Sequence, residues 1–281
     1  MSTAEANTLA GTPRNAWLAE LTLDYAEKST QGIPKTIVAR RKHKGPLTVQ
    51  RAFYPEQDVC HSYLLHPPAG ITANDQLSIT ANLGERAKVL ITTPGATRFY
   101  RTSGIGACLD QRLKLGTAST LEWLPQETLI YARAKAKINS EIKLTQDAHY
   151  FGWEVIGLGR PASGEIFDAG SFELCTQIFR DGRLCIRDRM QGNNKAYGLQ
   201  GKHAFGTLYA SGADPEALDT TRELCRSSSL LSAPSLIEDF LVIRAIADEC
   251  NPITELFREI WQALRPYLFD RTAQSPQIWR T

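Results

Sequence analysis

Residues 137–144 read KINSEIKL, and their alternation decides the fold class. In an extended chain Ile138, Ser140, Ile142 and Leu144 point to one side, while Lys137, Asn139, Glu141 and Lys143 point to the other. A period of two marks a strand with one dry and one wet face. The same reading applies to residues 18–25, 47–54, 58–65, 77–81, 87–93, 111–115, 119–124, 128–134, 150–158, 172–180, 184–190 and 205–210. Gly, Pro, Asn and Asp turns separate them. So many short strands predict a mainly β fold of stacked sheets, a sandwich or a β-helix-like stack, rather than a doubly wound α/β fold. No fixed-period repeat marks a regular solenoid.

The last quarter changes character. Asp214 followed by Pro215 suits the first turn of a helix running to about Ser227, because a carboxylate caps free N–H groups and proline lacks one. A second helix is predicted from Asn251-Pro252. In it Ile253, Leu256, Phe257, Ile260, Trp261, Leu264 and Leu268 recur every three or four residues and form one apolar stripe. Between the two, residues 240–247 are rich in branched and aromatic side chains and are read as a strand, although Ser235 to Glu238 also fits a capping box. The expected organisation is a flexible segment over residues 1–15 and one domain over 16–281, β-rich to 211, helix-containing over 212–270, with a tail over 271–281.

Composition excludes several classes. The 32 Lys and Arg nearly balance 30 Asp and Glu, for a net charge of +2. That argues against a nucleic-acid partner. Arg40, Arg41, Lys42, His43 and Lys44 form a short basic cluster, read as a solvated turn before Gly45-Pro46. Apolar runs fall well short of the ~20 residues of a membrane span, and the N-terminus lacks the pattern of a secretion signal. The expectation is a soluble cytoplasmic protein whose six dispersed cysteines stay reduced.

Chemistry-bearing residues are scattered. In CHSYLLHPPAG (residues 60–70) an extended backbone places Cys60, Ser62, Leu64 and His66 on one face and Val59, His61, Tyr63 and Leu65 on the other. A buried thiol and a backbone-bonded imidazole are the ordinary reading of Cys60 and His66, with transient metal ligation by His61 or His66 as the alternative. ITTPGATRFYRT (residues 91–102) offers hydroxyl and guanidinium donors but lacks the spacing of a phosphate loop. Its Arg98, Tyr100 and Arg101 read as a contact surface. Asp75, Glu122, Glu127, Glu154 and Glu165 lie in or beside mainly apolar strands, where a carboxylate must be paired, solvated or set along a wet passage. No hydrolase motif is present.

Taken in order, CHSYLLHPPAG, ITTPGATRFYRT and LEWLPQET (residues 121–128) resemble the urease accessory protein UreD, or UreH, family. GPLTVQRAFYPE (45–56), WEVIGLGRPASGE (153–165) and PQIWRT (276–281) extend the resemblance. Arg98 stands where the family often has Lys, residues 131–134 lack a common acidic residue, and Gln277 replaces a common Arg. The resemblance implies a non-catalytic chaperone that binds the urease apoprotein and recruits UreF- and UreG-type proteins, through which nickel is delivered. GTPase activity would belong to the UreG-type partner, and no cofactor would be held tightly. Under this reading His61, His66, Asp75, Glu122, Glu154 and Glu165 are candidate weak ligands for nickel in transit. Arg98, Tyr100, Arg101, Trp279 and Arg280 are candidate partner contacts. Two other readings stay open: a β-rich hydrolase or carbohydrate-active enzyme using a carboxylate pair such as Glu122 and Glu154, and a metal-independent binding module.

Overall fold

Alternating burial of the predicted kind builds two facing sheets. The computed structural model describes residues 17–30, 32–68, 70–193 and 199–280; the expected flexible segment over residues 1–15 lies outside them. The strands are β1 (Leu18–Thr30), β2 (Ile33–Lys44), β3 (Thr48–Val49), β4 (Cys60–Leu65), β5 (Gln76–Leu83), β6 (Lys88–Thr92), β7 (Thr97–Phe99), β8 (Ala107–Leu115), β9 (Thr120–Leu124), β10 (Thr128–Ile130), β11 (Lys135–Leu144), β12 (His149–Leu158), β13 (Ser171–Arg180), β14 (Arg183–Asn193), β15 (Ala204–Ser211), β16 (Leu231–Ile237) and β17 (Phe240–Ala247). The helices are α1 (Pro215–Ser227) and α2 (Cys250–Phe269).

One sheet has seven strands in the order β14-β13-β11-β8-β5-β1-β2; the other has ten, with the path β16-β17-β15-β12-β9-β6-β4-β3 and β7 and β10 beside it. The chain crosses between the sheets repeatedly. As a result β1, β5, β8, β11 and β13 stack in parallel, as do β4, β6, β9 and β12. This is a solenoid-like core closed by antiparallel strands. Its rungs are unequal, with 32, 29 and 36 residues separating the registered positions Gln76, Cys108, Lys137 and Glu173. Rungs of unequal length leave no period in the sequence.

The expected strands and both expected helices are present. Asp214 caps α1, its carboxylate accepting from the Glu216 and Ala217 N–H groups at 3.0 Å. Two local expectations are corrected, over residues 40–44 and 47–54. The basic cluster 40–44 closes strand β2 instead of forming a turn. Residues 47–54 pair as a strand only at β3, with an isolated bridge from Phe53 to His61. The stretch before β17 is strand β16, paired antiparallel to it.

Two apolar layers result. The space between the sheets holds one core, including Leu21, Ile79, Leu113, Ile138, Ile142 and Phe172. The other lies between the outer face of the ten-stranded sheet and α2, whose Ile253, Phe257, Ile260 and Trp261 are fully buried against Trp153, Leu208 and Ile243. No helix among the described residues is long and apolar enough to cross a membrane.

Candidate functional site

On β9, Leu121 joins the core between the sheets. Its neighbour Glu122 must therefore point the other way, toward α2. There its carboxylate accepts from the Arg265 Nε at 2.8 Å, the Arg265 Nη2 at 2.9 Å and the Trp261 Nε1 at 2.6 Å. Arg265 is wholly buried and also donates to Glu56 at 2.9 Å. The Glu56 carboxylate meets the His61 Nε2 at 2.8 Å. Burial alone would raise the Glu56 pKa, but the hydrogen bonds from His61 and Arg265 prevail and hold it below the usual range. Every carboxylate of this cluster is thus committed to an internal cation or hydrogen bond. Its evident work is to fix α2 against the sheet, which commits the Glu122 and His61 side chains to internal partners even though Glu122 also borders a cavity of about 240 Å³ beside Lys88 and Arg271.

Glu154 faces the opposite way. It is two residues along β12 from Trp153's neighbour Gly152 and shares a face with Tyr150, which lies in the core between the sheets. The Ser140 hydroxyl donates to it at 2.9 Å from the facing sheet. Burial pushes the Glu154 carboxyl up to about 7, against the opposing hydrogen bonds from Ser140 and Gln111. Ser140 itself belongs to a polar row. Gln111, Ser140, Thr176 and Asp188 stand opposite one another across β8, β11, β13 and β14. The neighbouring rows on either side are apolar, Leu109, Ile138, Leu174 and Met190 on one, Leu113, Ile142, Ile178 and Ile186 on the other. At the end of the row Asp188 accepts from the Tyr209 hydroxyl at 2.8 Å and the Arg244 Nη2 at 2.9 Å. A cavity of about 100 Å³ lies here, lined among others by Glu154, Thr176, Asp188, Tyr209 and Arg244. The outcome is a line of oxygen ligands running from a dry interior to a half-exposed Asp–Arg pair.

The remaining candidates lie elsewhere. His66 lines a separate, mostly apolar cavity of about 440 Å³ with Leu64, Ile71, Ile79, Leu109 and Arg98, and its Nε2 is buried without a hydrogen-bond partner among the described residues. Burial lowers its pKa, so the imidazole is neutral. Asp75 is a turn cap, accepting from the Thr72 N–H at 2.8 Å and the Trp17 N–H at 3.2 Å. Glu165 pairs with Arg160 at 2.6 Å. Among the described residues no three His, Cys, Asp or Glu side chains are grouped so as to hold a metal ion. The six candidates therefore form no common site, and only Glu154 and His66 reach the space between the sheets. Glu122 and Glu154 on opposite faces cannot serve one substrate as a carboxylate pair.

Arg98, Tyr100 and Arg101 sit where two of the quoted motifs are laced together. The Ile71 N–H donates to the Arg98 carbonyl at 2.7 Å and the Tyr100 N–H to the Ile71 carbonyl at 2.8 Å. The Tyr100 ring crosses Gly70 so closely that a Cβ there would lie 1.8 Å from its Cε2. Tyr100 meets Tyr131 edge-on, and Arg160 stacks over Tyr131. Arg101 is exposed beside them. Trp279 is different. Its ring packs between Trp153 and Trp261, Arg258 stacks on it, and its Nε1 donates to the Thr92 hydroxyl at 2.9 Å. The tail thus packs against the helix-side core. Arg280 is exposed, and Thr281 lies outside the described residues.

The sequence of nearly the whole described chain matches a known family. The model of the UreD urease accessory protein covers residues 18–280. This chain belongs to the UreD urease accessory protein family. The urease accessory protein UreD of Alcanivorax borkumensis is 38% identical over 273 residues, spanning 94% of this chain and 92% of that relative. UreD of Citrobacter koseri is 38% identical over 266 residues, spanning 94% and 92%. UreD of Klebsiella aerogenes is 35% identical over 269 residues, spanning 95% and 98%. An accessory role follows from UreD family membership. Sequence reading of this UreD chain missed Gln111, Thr176, Asp188 and Arg244. The available signal was Ser140, a polar residue at an inward position of KINSEIKL.

Proposed function

We propose that this chain is a urease maturation factor that binds the urease apoprotein together with UreF- and UreG-type accessory proteins in the cytoplasm, its residues from 16 onward working as one unit. Nickel is the cargo. It is held weakly and in passing, no cofactor is bound tightly, and GTP is hydrolysed by a partner. The observation that supports a passage inside the fold is Glu154, a carboxylate buried between the sheets on a row of oxygen ligands. Ni²⁺ accepts carboxylate and hydroxyl oxygens, and a site with few ligands releases what it binds, whereas a closed set of four strong ligands retains it. Glu154 must lose its proton to take the ion, so loading weakens as pH falls below about 7. His66, neutral in its own cavity, is a second stepping point. His61, Asp75, Glu122 and Glu165 serve the fold by their caps and ion pairs. Arg98, Tyr100 and Arg101, on the surface where the motifs meet, are the proposed partner contacts, with Arg280 beside the docked Trp279.

The test is Glu154→Ala and His66→Ala, singly and together, with apo-urease, the two partner proteins, nickel and GTP. Each single change slows activation and the pair slows it further, while co-elution with partners survives. Normal activation by the double variant would remove the passage from this reading and leave the scaffold.

A further inference from the structure

The run Arg40, Arg41, Lys42, His43 and Lys44 carries four of the chain's 32 Lys and Arg within five residues, leaving the rest of the chain with a formal charge of −2 against the whole chain's +2. All five side chains are exposed. They close β2, the last strand on one side of the seven-stranded sheet, which pairs only with β1. Along an extended strand Arg40, Lys42 and Lys44 face one side and Arg41 and His43 the other. Arg40 is paired with Asp24 at 2.5 Å. Among the described residues Arg41, Lys42 and Lys44 make no ion pair, even though Glu20 lies opposite Lys44 in register.

Earlier in β2 the outward backbone is already used, since the Thr36 N–H donates to the Asp58 carbonyl at 2.9 Å. Over residues 40–44 no backbone group makes such an outward bond among the described residues. A free edge of this kind is a template for another strand. One lysine or a bulge is enough to blunt an edge, and β2 already has a register shift opposite Asp24 and Tyr25. Three unpaired cations beyond it repel one another, which costs stability unless a partner supplies the opposite charge.

We propose that the outer edge of β2 over residues 40–44 receives an acidic, extended polypeptide segment from another protein as an added strand. Backbone hydrogen bonds would supply the pairing, and carboxylates at successive positions, alternating between the two faces of the added strand, would meet Lys42 and Lys44 on one side and Arg41 on the other. A nucleic acid fits less well: the run spans only ~14 Å and offers no aromatic side chain for base stacking. This surface is argued from its own charge and geometry and does not depend on the passage at Glu154.

The test uses the full chain and a fluorescein-labelled peptide with Glu at successive positions between flanking Val residues, so that carboxylates lie on both faces when it is extended, read by anisotropy. Three comparison probes are the same peptide with Gln for Glu, one with alternate backbone nitrogens methylated, and a short oligothymidylate. The acidic peptide binds, the Gln and N-methylated peptides bind at least ~10-fold more weakly, and added salt weakens binding. The variants K42E/K44E and R41E/H43E each lose at least ~10-fold in affinity, with thermal midpoints checked for both. If one variant melts early, the other and the methylated peptide decide. Absence of binding by the acidic peptide, equal binding of its methylated form, or preference for the oligothymidylate overturns the proposal.

Discussion

Glu122 and Glu154 lie on adjacent strands of one sheet and point to opposite faces, Glu122 into a guanidinium beneath α2 and Glu154 into the space between the sheets, where it meets Ser140. The same residue type therefore has two different jobs. One carboxylate is neutralised by a buried cation. The other is pushed by burial up to about 7, with no cation lowering it among the described residues.

Removing Arg265 leaves the buried Glu122 carboxylate without a cation, held only by the Trp261 N–H, and Glu56 with the His61 imidazole alone. Arg265→Ala should lower unfolding free energy by about 3–5 kcal/mol, the usual cost of breaking a buried pair from one side. Glu122→Gln should cost less. Chemical denaturation measures both. The wild type should also weaken in acid: the Glu56 pKa is depressed in the folded chain, so its stabilisation is present above its ordinary 4.5 and lost as pH falls through the lower folded value.

Glu154 predicts the opposite pH dependence. Its folded value of about 7 exceeds the ordinary 4.5. Stability is therefore full below the ordinary value, declines as pH rises toward 7, and above that stays lower by roughly 3 kcal/mol. Glu154→Gln should remove this decline. Thermal midpoints of variant and wild type should nearly coincide at about pH 5 and separate in favour of the variant at about pH 8.

The tail is expected to matter for folding. Trp279→Ala should cost about 2–3 kcal/mol, below the range for a fully buried Trp because the ring is only partly covered. Deleting residues 275–281 should lower the thermal midpoint by at least as much as the single change. An unchanged midpoint would return the tail to a pure contact role.

Gly70→Ala cannot keep Tyr100 in place, since the added methyl would overlap its ring. A loss of about 1–3 kcal/mol is expected. Partner co-elution should fall more than it does for a core substitution of equal cost, if the Tyr100 surface is a contact. The comparison is by co-elution at matched stability.

Much of this fold was legible because strands with one wet face announce themselves. Residues 18–25, 137–144 and 240–247 were each readable from alternation or branched content alone, and Asp214-Pro215 marked the start of α1. Edge strands were harder. β2 is exposed over residues 40–44 on both faces, so no alternation of polarity survives there, and charge made it look like a turn. The solenoid-like stacking was hidden by unequal rungs. The division of the carboxylates was hidden for another reason: Glu122 depends on Arg265, 143 residues away in the chain. Arg265 even interrupts the apolar stripe of α2 at the position after Leu264, a signal visible but ambiguous without the sheet beneath it.

The central claim is that this chain acts in urease maturation. Its most direct measurement is urease activity that develops when apo-urease is incubated with UreF- and UreG-type proteins, nickel and GTP, with and without this chain. The account predicts activation that depends on the chain and is slowed by Glu154→Ala. Equal activation in its absence would contradict it.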